Sequence, residues 1–490
     1  MNKDSEAFVN PELEATLLET EATSWSTCRF SWSEIKDELK NQWRLGAPLT
    51  LFFFMEFVSM LVVISYTSHV GPLALSSASM AASVVSIVGV DVLIGLGGAL
   101  ETFCGQSFGV QDYEMMAVHM QRGILTLLLA CIPMAFVWAN TGKILLWLGQ
   151  DRVLATSAGT YARFWIPAGF GYAIMLCVSV FLRSRREVMP LMIASAITSF
   201  GQVIWAWFLV FKTGLSGNGA AVSMCINYWL LAIILIAWVK LSPNCKNTKF
   251  HFSWEIFRGI PEFLRLAVPS VFLSCLGSWL LQIITVLSGM LPNAVFETSA
   301  LTICSSVNAF GLMIPLGIRA ATTTRVANEL GAGNLRASRL AFMVALSTAV
   351  AESLSVLFIT IIFRHGLVSL FSKDATVNKY AAEMLLIAAV SNFFSAVQCI
   401  LLGLYNGIGC PKVGAIVNLL AYYVIGLPCA LIFAFVLQFG GKGLWMGYVM
   451  AQITQVVVLS VVALKTDWQE EAKRARNKAV VNETQSHEGH

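Results

Sequence analysis

Two carboxylates stand where water is scarce. Glu56 interrupts Leu51-Phe52-Phe53-Phe54-Met55 on one side and Phe57-Val58 on the other, and Asp91 lies between Ile87-Val88-Gly89-Val90 and Val92-Leu93-Ile94. A charged residue at mid-membrane costs about 2.5–3.5 kcal/mol on insertion scales, so such an acid turns toward a bundle interior or a water-filled cavity. The chemistry open to it there is proton carriage, because burial disfavours the ionised carboxylate and brings its titration toward neutral pH. The rest of the chain offers little reaction chemistry. Its six histidines form no metal motif, its eleven cysteines contain no C-x-x-C pair, and no Ser/His/Asp set or catalytic carboxylate pair can be assigned. The sequence reads as a non-enzyme with no metal and no cofactor. Cysteines such as Cys131, Cys177 and Cys304 read as small buried hydrophobes.

The elements that hold these acids follow from composition. The chain is 57% hydrophobic and 12% charged, with mean hydropathy +0.71. A soluble domain carries roughly twice that charged fraction. A bilayer core needs about 20 apolar residues per helix. Runs of that kind begin near Ala47, Ser76, Gly123, Ala158, Pro190 and Gly219, and again near Ala267, Ser299, Leu340, Ala381, Val413 and Gly443. The expected fold is therefore an all-α membrane protein of about twelve transmembrane helices. The net charge of +4 is small and spread through short loops, which leaves nucleic-acid binding without support. Loops after even-numbered helices hold thirteen Lys and Arg against seven in the odd-numbered loops. By the positive-inside rule the even loops and both termini face the cytosol. Residues 1–40 read as a polar, acidic cytosolic tail without a cleavable leader, and 467–490 as a second cytosolic tail whose sequon at Asn482 stays unmodified.

The chain repeats itself. Arg44-Leu45-Gly46-Ala47-Pro48 opens helix 1 and Arg265-Leu266-Ala267-Val268-Pro269 opens helix 7, an offset of 221 residues. Gln106-Ser107-Phe108-Gly109 after helix 2 matches Asn328-Glu329-Leu330-Gly331 after helix 8, and Pro190 matches Pro411 before helices 5 and 11. Each half holds six helices, so the halves insert with the same orientation and relate by an axis along the membrane normal, one of the recurrent secondary-transporter designs. The expected division is an N-lobe over 41–240, a cytosolic inter-lobe loop over 241–264 and a C-lobe over 265–466. Rocking of the lobes about a shared site is the mechanism this architecture favours.

These landmarks carry a family resemblance. Ala99-Leu100-Glu101-Thr102-Phe103-Cys104-Gly105-Gln106-Ser107-Phe108-Gly109 resembles the motif after helix 2 of the multidrug and toxic compound extrusion (MATE) transporters, plant-type DETOXIFICATION branch. So does Thr324-Arg325-Val326-Ala327-Asn328-Glu329-Leu330-Gly331-Ala332-Gly333 after helix 8. Leu287-Ser288-Gly289-Met290-Leu291-Pro292-Asn293, the run Gly414 to Tyr423 and Gly441-Lys442-Gly443-Leu444-Trp445 match as well, and the likeness spans about Trp32 to Trp468. The resemblance implies a two-lobe, twelve-helix antiporter of organic cations, alkaloids, flavonoids or citrate against protons, with some relatives conducting anions. It implies residence at the plasma or vacuolar membrane.

The chain departs from that family at the residues that matter for coupling. The family pattern has a glutamate in helix 7 just before a tryptophan and an aspartate in helix 10 three residues before a glutamine. Here those positions hold Gly277, before Ser278-Trp279, and Ser395, before Gln398, while the later helix 7 acid falls on Gln282. Glu56 occupies the repeat mate of Gly277. The expectation is that coupling rests on Glu56, with Asp91 as its partner. The alternative use for Glu56 is a polar cluster with Ser59.

Further expectations concern the cavity. Trp279, Gln282, Gln398, Asn418, Tyr422 and Tyr423 would line it for flat organic solutes, since aromatic faces attract cations by about 0.5–2 kcal/mol each, with helix packing as the plainer use. Arg319 would either make the C-lobe attractive to an anion or, as its nearness to the helix end favours, snorkel to the cytoplasmic face. Glu101 and Glu352 would pair locally as structural acids. Gly105, Gln106, Gly109, Asn328, Glu329 and Gly331 would shape cytoplasmic turns. The functional expectation is a monomeric exporter of small organic solutes in a lipid bilayer, driven by protons or another coupling ion. The competing one is a potential-driven uniporter or anion pathway, because the C-lobe acids are absent.

Overall fold

A computed structural model describes residues 30–245, 254–369 and 375–465. Among these the chain is helical, with no strand. The spans are α1 (Trp32–Val70), α2 (Leu73–Val110), α3 (Tyr113–Ala139), α4 (Arg152–Ser184), α5 (Met189–Phe211), α6 (Gly217–Leu241), α7 (Ile260–Ser288), α8, a pair Phe296–Gly311 and Met313–Gly331 bent by 42°, α9 (Leu335–Ser369), α10 (Thr376–Ile408), α11 (Pro411–Val436) and α12 (Gly440–Lys465). The expected tails and part of the inter-lobe loop, including Asn482, lie outside the described residues.

Each helix contains its expected apolar run and extends beyond it. The overhang is longest in α1, where about four turns precede Ala47. That overhang is amphipathic, burying Glu38, Gln42 and Leu45 while Trp32 and Trp43 are exposed. Local signals fix the ends. Glu34 reaches back to the Ser31 backbone N–H at 2.6 Å, Asp112 accepts from the Met115 N–H at 2.8 Å and Asp151 from those of Val153 and Leu154, satisfying donors that a helix start leaves orphaned. Gly71, with φ of 146°, separates α1 from α2 where only glycine turns without strain. Pro48, Pro133, Pro167 and Pro269 sit inside helices, as neighbouring helices permit.

The halves pack as two lobes. One core, around Leu49, Leu100, Phe181 and Leu231, belongs mainly to α1–α6. Two more, around Leu280 and Trp445 and around Ile400 and Tyr405, belong to α7–α12. The outer faces present bare apolar side chains, with Phe136, Phe200, Val286 and Ile362 at least 70% exposed, a surface that only lipid covers without cost. The lobes meet through α1 and the second half of α2 against α7, the second half of α8, α9 and α10. The first halves of α2 and α8 instead pack chiefly within their own lobes. The lobes thus join at the even-loop end and part toward the odd-loop end.

Candidate functional site

The carboxylate expected in helix 1 opens onto a cavity. The space measures about 620 Å³ and lies within the N-lobe, walled by α1, α2, α4 and α6 and flanked by the second half of α8. It runs from Thr67, Leu75 and Tyr161 near the odd-loop end to Glu101, Arg183 and Asn406 near the even-loop end. Glu56 is on its wall among Phe52, Phe53, Phe57, Trp165, Tyr172 and Tyr228. The Oε1 atom of Glu56 is shielded from solvent and has no hydrogen-bond partner among the described residues. The polar cluster with Ser59 does not form. Ser59 donates to Ser199 Oγ at 2.9 Å, and Ser199 donates to the Met55 carbonyl. A carboxylate held this way, facing aromatic rings and lacking an internal partner, is free to take a proton or a ligand donor.

Asp91 is placed differently from the expectation. It faces the other lobe, accepting from Ser278 Oγ of α7 at 3.0 Å and from Ser86 Oγ at 3.3 Å, and it is absent from the cavity wall. No hydrogen bond joins Asp91 to Glu56. The cause is a π-helical turn, Ser86–Val90, immediately before Asp91. Such bulges rotate the following residues, often at functional sites. Gly89 lets the Trp138 ring press against the bulge, since a Cβ there would collide with it. A glycine in an apolar run was the only signal of this in the sequence.

Of the seven residues expected around a solute, Arg319 alone is on the cavity wall. Arg319 packs against α10, where Gly403 leaves room for the arginine stem, a Cβ there coming within 3.2 Å of Arg319 Cγ. Trp279, Gln282, Gln398, Asn418, Tyr422 and Tyr423 are not among the lining residues. Four of them are used in C-lobe packing. Gln398 donates to Tyr422 Oη at 2.7 Å, Asn418 to the Leu273 carbonyl at 2.7 Å and accepts from Gln455, and Tyr423 donates to the Leu276 carbonyl at 3.4 Å. Ser395 accepts from Gln452, which in turn accepts from Ser391. At Gly277 and Ser395 this lobe has no carboxylate, and Ser395 is held in neutral hydrogen bonds.

The even-loop end is shut by charge and by close contact. Arg325, 5% exposed at its side chain, pairs with Glu38 at 2.6 Å and with Glu329 at 2.6 Å. Glu329 also holds Arg186 at 3.0 Å, and Asn328 donates to the Ser184 carbonyl at 3.0 Å. The expected turn residues all prove helical: Gly105, Gln106 and Gly109 lie in α2, and Asn328, Glu329 and Gly331 in the last turns of α8. Their glycines serve close approach instead. A Cβ on Gly105 would come to 2.5 Å from that of Ala327, one on Gly109 would overlap the Asn328 carbonyl, and one on Gly331 the Gln106 carbonyl. Just above, Glu101 pairs with Arg183 at 3.1 Å and accepts from Asn406 at 3.4 Å, as a local structural pair should. Glu352 does not. It lies mid-way along α9, and both its carboxylate oxygens are buried without a hydrogen-bond partner among the described residues.

The MatE family profile matches residues 48–208 and 269–432, starting at Pro48 and Pro269, the same two prolines that open the repeat. Protein DETOXIFICATION 16 of Arabidopsis thaliana is 42% identical over 446 residues, 91% of this chain and 92% of the relative. Protein DETOXIFICATION 15 of the same plant is 40% identical, with 91% and 92% covered. Among solved structures, the crystal structure of the eukaryotic MATE transporter AtDTX14 superposes with a TM-score of 0.88 at 36% identity, covering 91% of this chain and 99% of that one. An outward-facing multidrug-resistance MATE transporter gives 0.78 at 18% identity, with 88% and 97% covered, and shares the fold. The chain is a multi-pass membrane protein that belongs to the MATE family of transporters, and the DETOXIFICATION proteins are its relatives.

Proposed function

We propose that the protein exports small organic solutes, xenobiotics or secondary metabolites, by alternating access in exchange for protons, with Glu56 as the group for which proton and solute compete. The observation that carries this reading is Glu56 on the wall of an aromatic-lined cavity, with one carboxylate oxygen buried and unpartnered. The relatives' names, DETOXIFICATION and multidrug resistance, support the solute class. A cationic or donor group on the solute satisfies the carboxylate when it is ionised, and a proton displaces it. Closure at the even-loop end supports a resting state open to the odd-loop side, which the positive-inside rule makes the non-cytosolic side. Both termini then lie in the cytosol, and the membrane is vacuolar or plasma membrane. The lobes act as the moving units, the N-lobe over 41–240 and the C-lobe over 265–466.

A second reading is favoured by the neutral hydrogen bonds that replace the C-lobe acids. In it the protein is a uniporter or anion pathway driven by potential, which supplies about 2.3 kcal/mol per charge per 100 mV. Flux in proteoliposomes with pH gradient and voltage imposed separately decides between them. Flux that follows the pH gradient and is lost in Glu56→Gln supports exchange. Flux that follows voltage alone and survives the substitution removes the exchange reading.

A further inference from the structure

We infer that the solute is bipolar: besides the group that meets Glu56 it carries an anionic group, a carboxylate, sulfate or phosphate, that binds the guanidinium of Arg319. This rests on the exchange reading above and names its substrate class. The cavity wall holds four charged side chains, Glu56, Glu101, Arg183 and Arg319. Glu101 and Arg183 neutralise each other at 3.1 Å. Glu56 and Arg319 remain, one acid and one base on different helices, and among the described residues neither has an ion-pair partner. Arg319 sits at a close contact between α8 and α10. Its stem lies against Gly403, whose missing side chain makes the room, and its backbone carbonyl is tied to Thr323 Oγ1 at 3.0 Å.

An arginine within a spanning helix is costly unless it pairs or faces water, and residues of this kind mark substrate or ion pathways. Guanidinium presents a planar fork that matches a carboxylate or phosphate with two parallel bonds, and it keeps its charge at any working pH. The rest of the cavity wall is largely apolar and aromatic, which suits a ring system. A solute with charge at both ends satisfies both side chains at once, and a simple cation leaves Arg319 unsatisfied.

The test uses three dyes sharing one xanthene frame: zwitterionic rhodamine with a free carboxylate, its methyl ester, which is a cation, and fluorescein, an anion. Binding to the full-length protein in lipid nanodiscs is read by fluorescence anisotropy. The zwitterion is expected to bind about tenfold tighter than its ester, the size of one hydrogen bond to a charged group. Arg319→Gln removes that ratio by weakening the zwitterion and leaving the ester unchanged, and Arg319→Lys restores part of it. Equal binding of acid and ester, a preference that survives Arg319→Gln, fluorescein binding more tightly than the zwitterion, or binding of none of the three overturns the inference. The exchange reading fails separately, through ester binding that neither protons nor Glu56→Gln alters.

Discussion

Gly277 lies against the phenol of Tyr422: a Cβ on the glycine would stand 3.0 Å from the Tyr422 oxygen. The ring, 1% exposed and hydrogen-bonded to Gln398, occupies the space beside the position where the family pattern has an acid. The bare glycine and the packed ring are one arrangement. Gly277→Glu is therefore expected to destabilise the protein by about 1–3 kcal/mol, the usual cost of overpacking, and Tyr422→Ala in the same chain to recover much of it. Thermal unfolding of the purified single and double variants measures the coupling. Simple additivity would separate the two residues.

The pH response follows from Glu56. Competition between proton and cationic group predicts that solute affinity rises with pH, across the range in which the protein stays folded, as the carboxylate ionises. In Glu56→Gln the affinity is expected to be flat over that range. Titration of binding at fixed ionic strength checks this, and a slope retained by the glutamine variant would place the titrating group elsewhere.

At the closed end, Gly109 faces the Asn328 carbonyl and the backbone of Gly331 and Ala332. Neither backbone can move as a side-chain tip would. Gly109→Ala should keep the end from closing, raise the reaction of Asn328→Cys with an impermeant thiol reagent from the even-loop side, and lower flux several-fold. Unchanged labelling would show that the seam absorbs the methyl group.

Arg325 is buried between Glu38 and Glu329. Removing it leaves Glu38, 4% exposed, without its main counter-charge, and breaking a buried pair costs about 3–5 kcal/mol. Arg325→Ala is expected to lower the melting temperature more than Arg325→Ala with Glu38→Gln, because the second change removes the stranded charge. A double variant as unstable as the single one would contradict this account.

Much of the scaffold was legible in the sequence, since twelve apolar runs, a repeat offset and the prolines at Pro190 and Pro411 are local in the chain. Glu56 was legible for the same reason: an acid in a phenylalanine run announces its cost. The cavity's walls were not. Whether Tyr422 faces solute or fills a core depends on the helix opposite it, and here Gly277 lets it fill. The room that Gly403, on another helix, leaves for the Arg319 stem could not be read from the sequence either. Asp91 was aimed by a π turn that no period in the sequence reveals. Glu38 lay in what read as a polar tail, although the amphipathic start of α1 carries it to Arg325.

The seam at the closed end has a symmetry of its own. Gly105 touches Ala327, its own mate under the repeat. Gly109 meets Asn328 and Gly331 meets Gln106, which is the same contact made twice with the roles exchanged. That reciprocity defines an isologous interface, the kind that joins two copies of one subunit in a dimer. The pseudo-twofold axis must pass between Gly105 and Ala327. Opening this end of the transporter is then the dissociation of a dimer whose two subunits share a chain, and a residue changed on one side of the axis is felt twice only if its mate changes too.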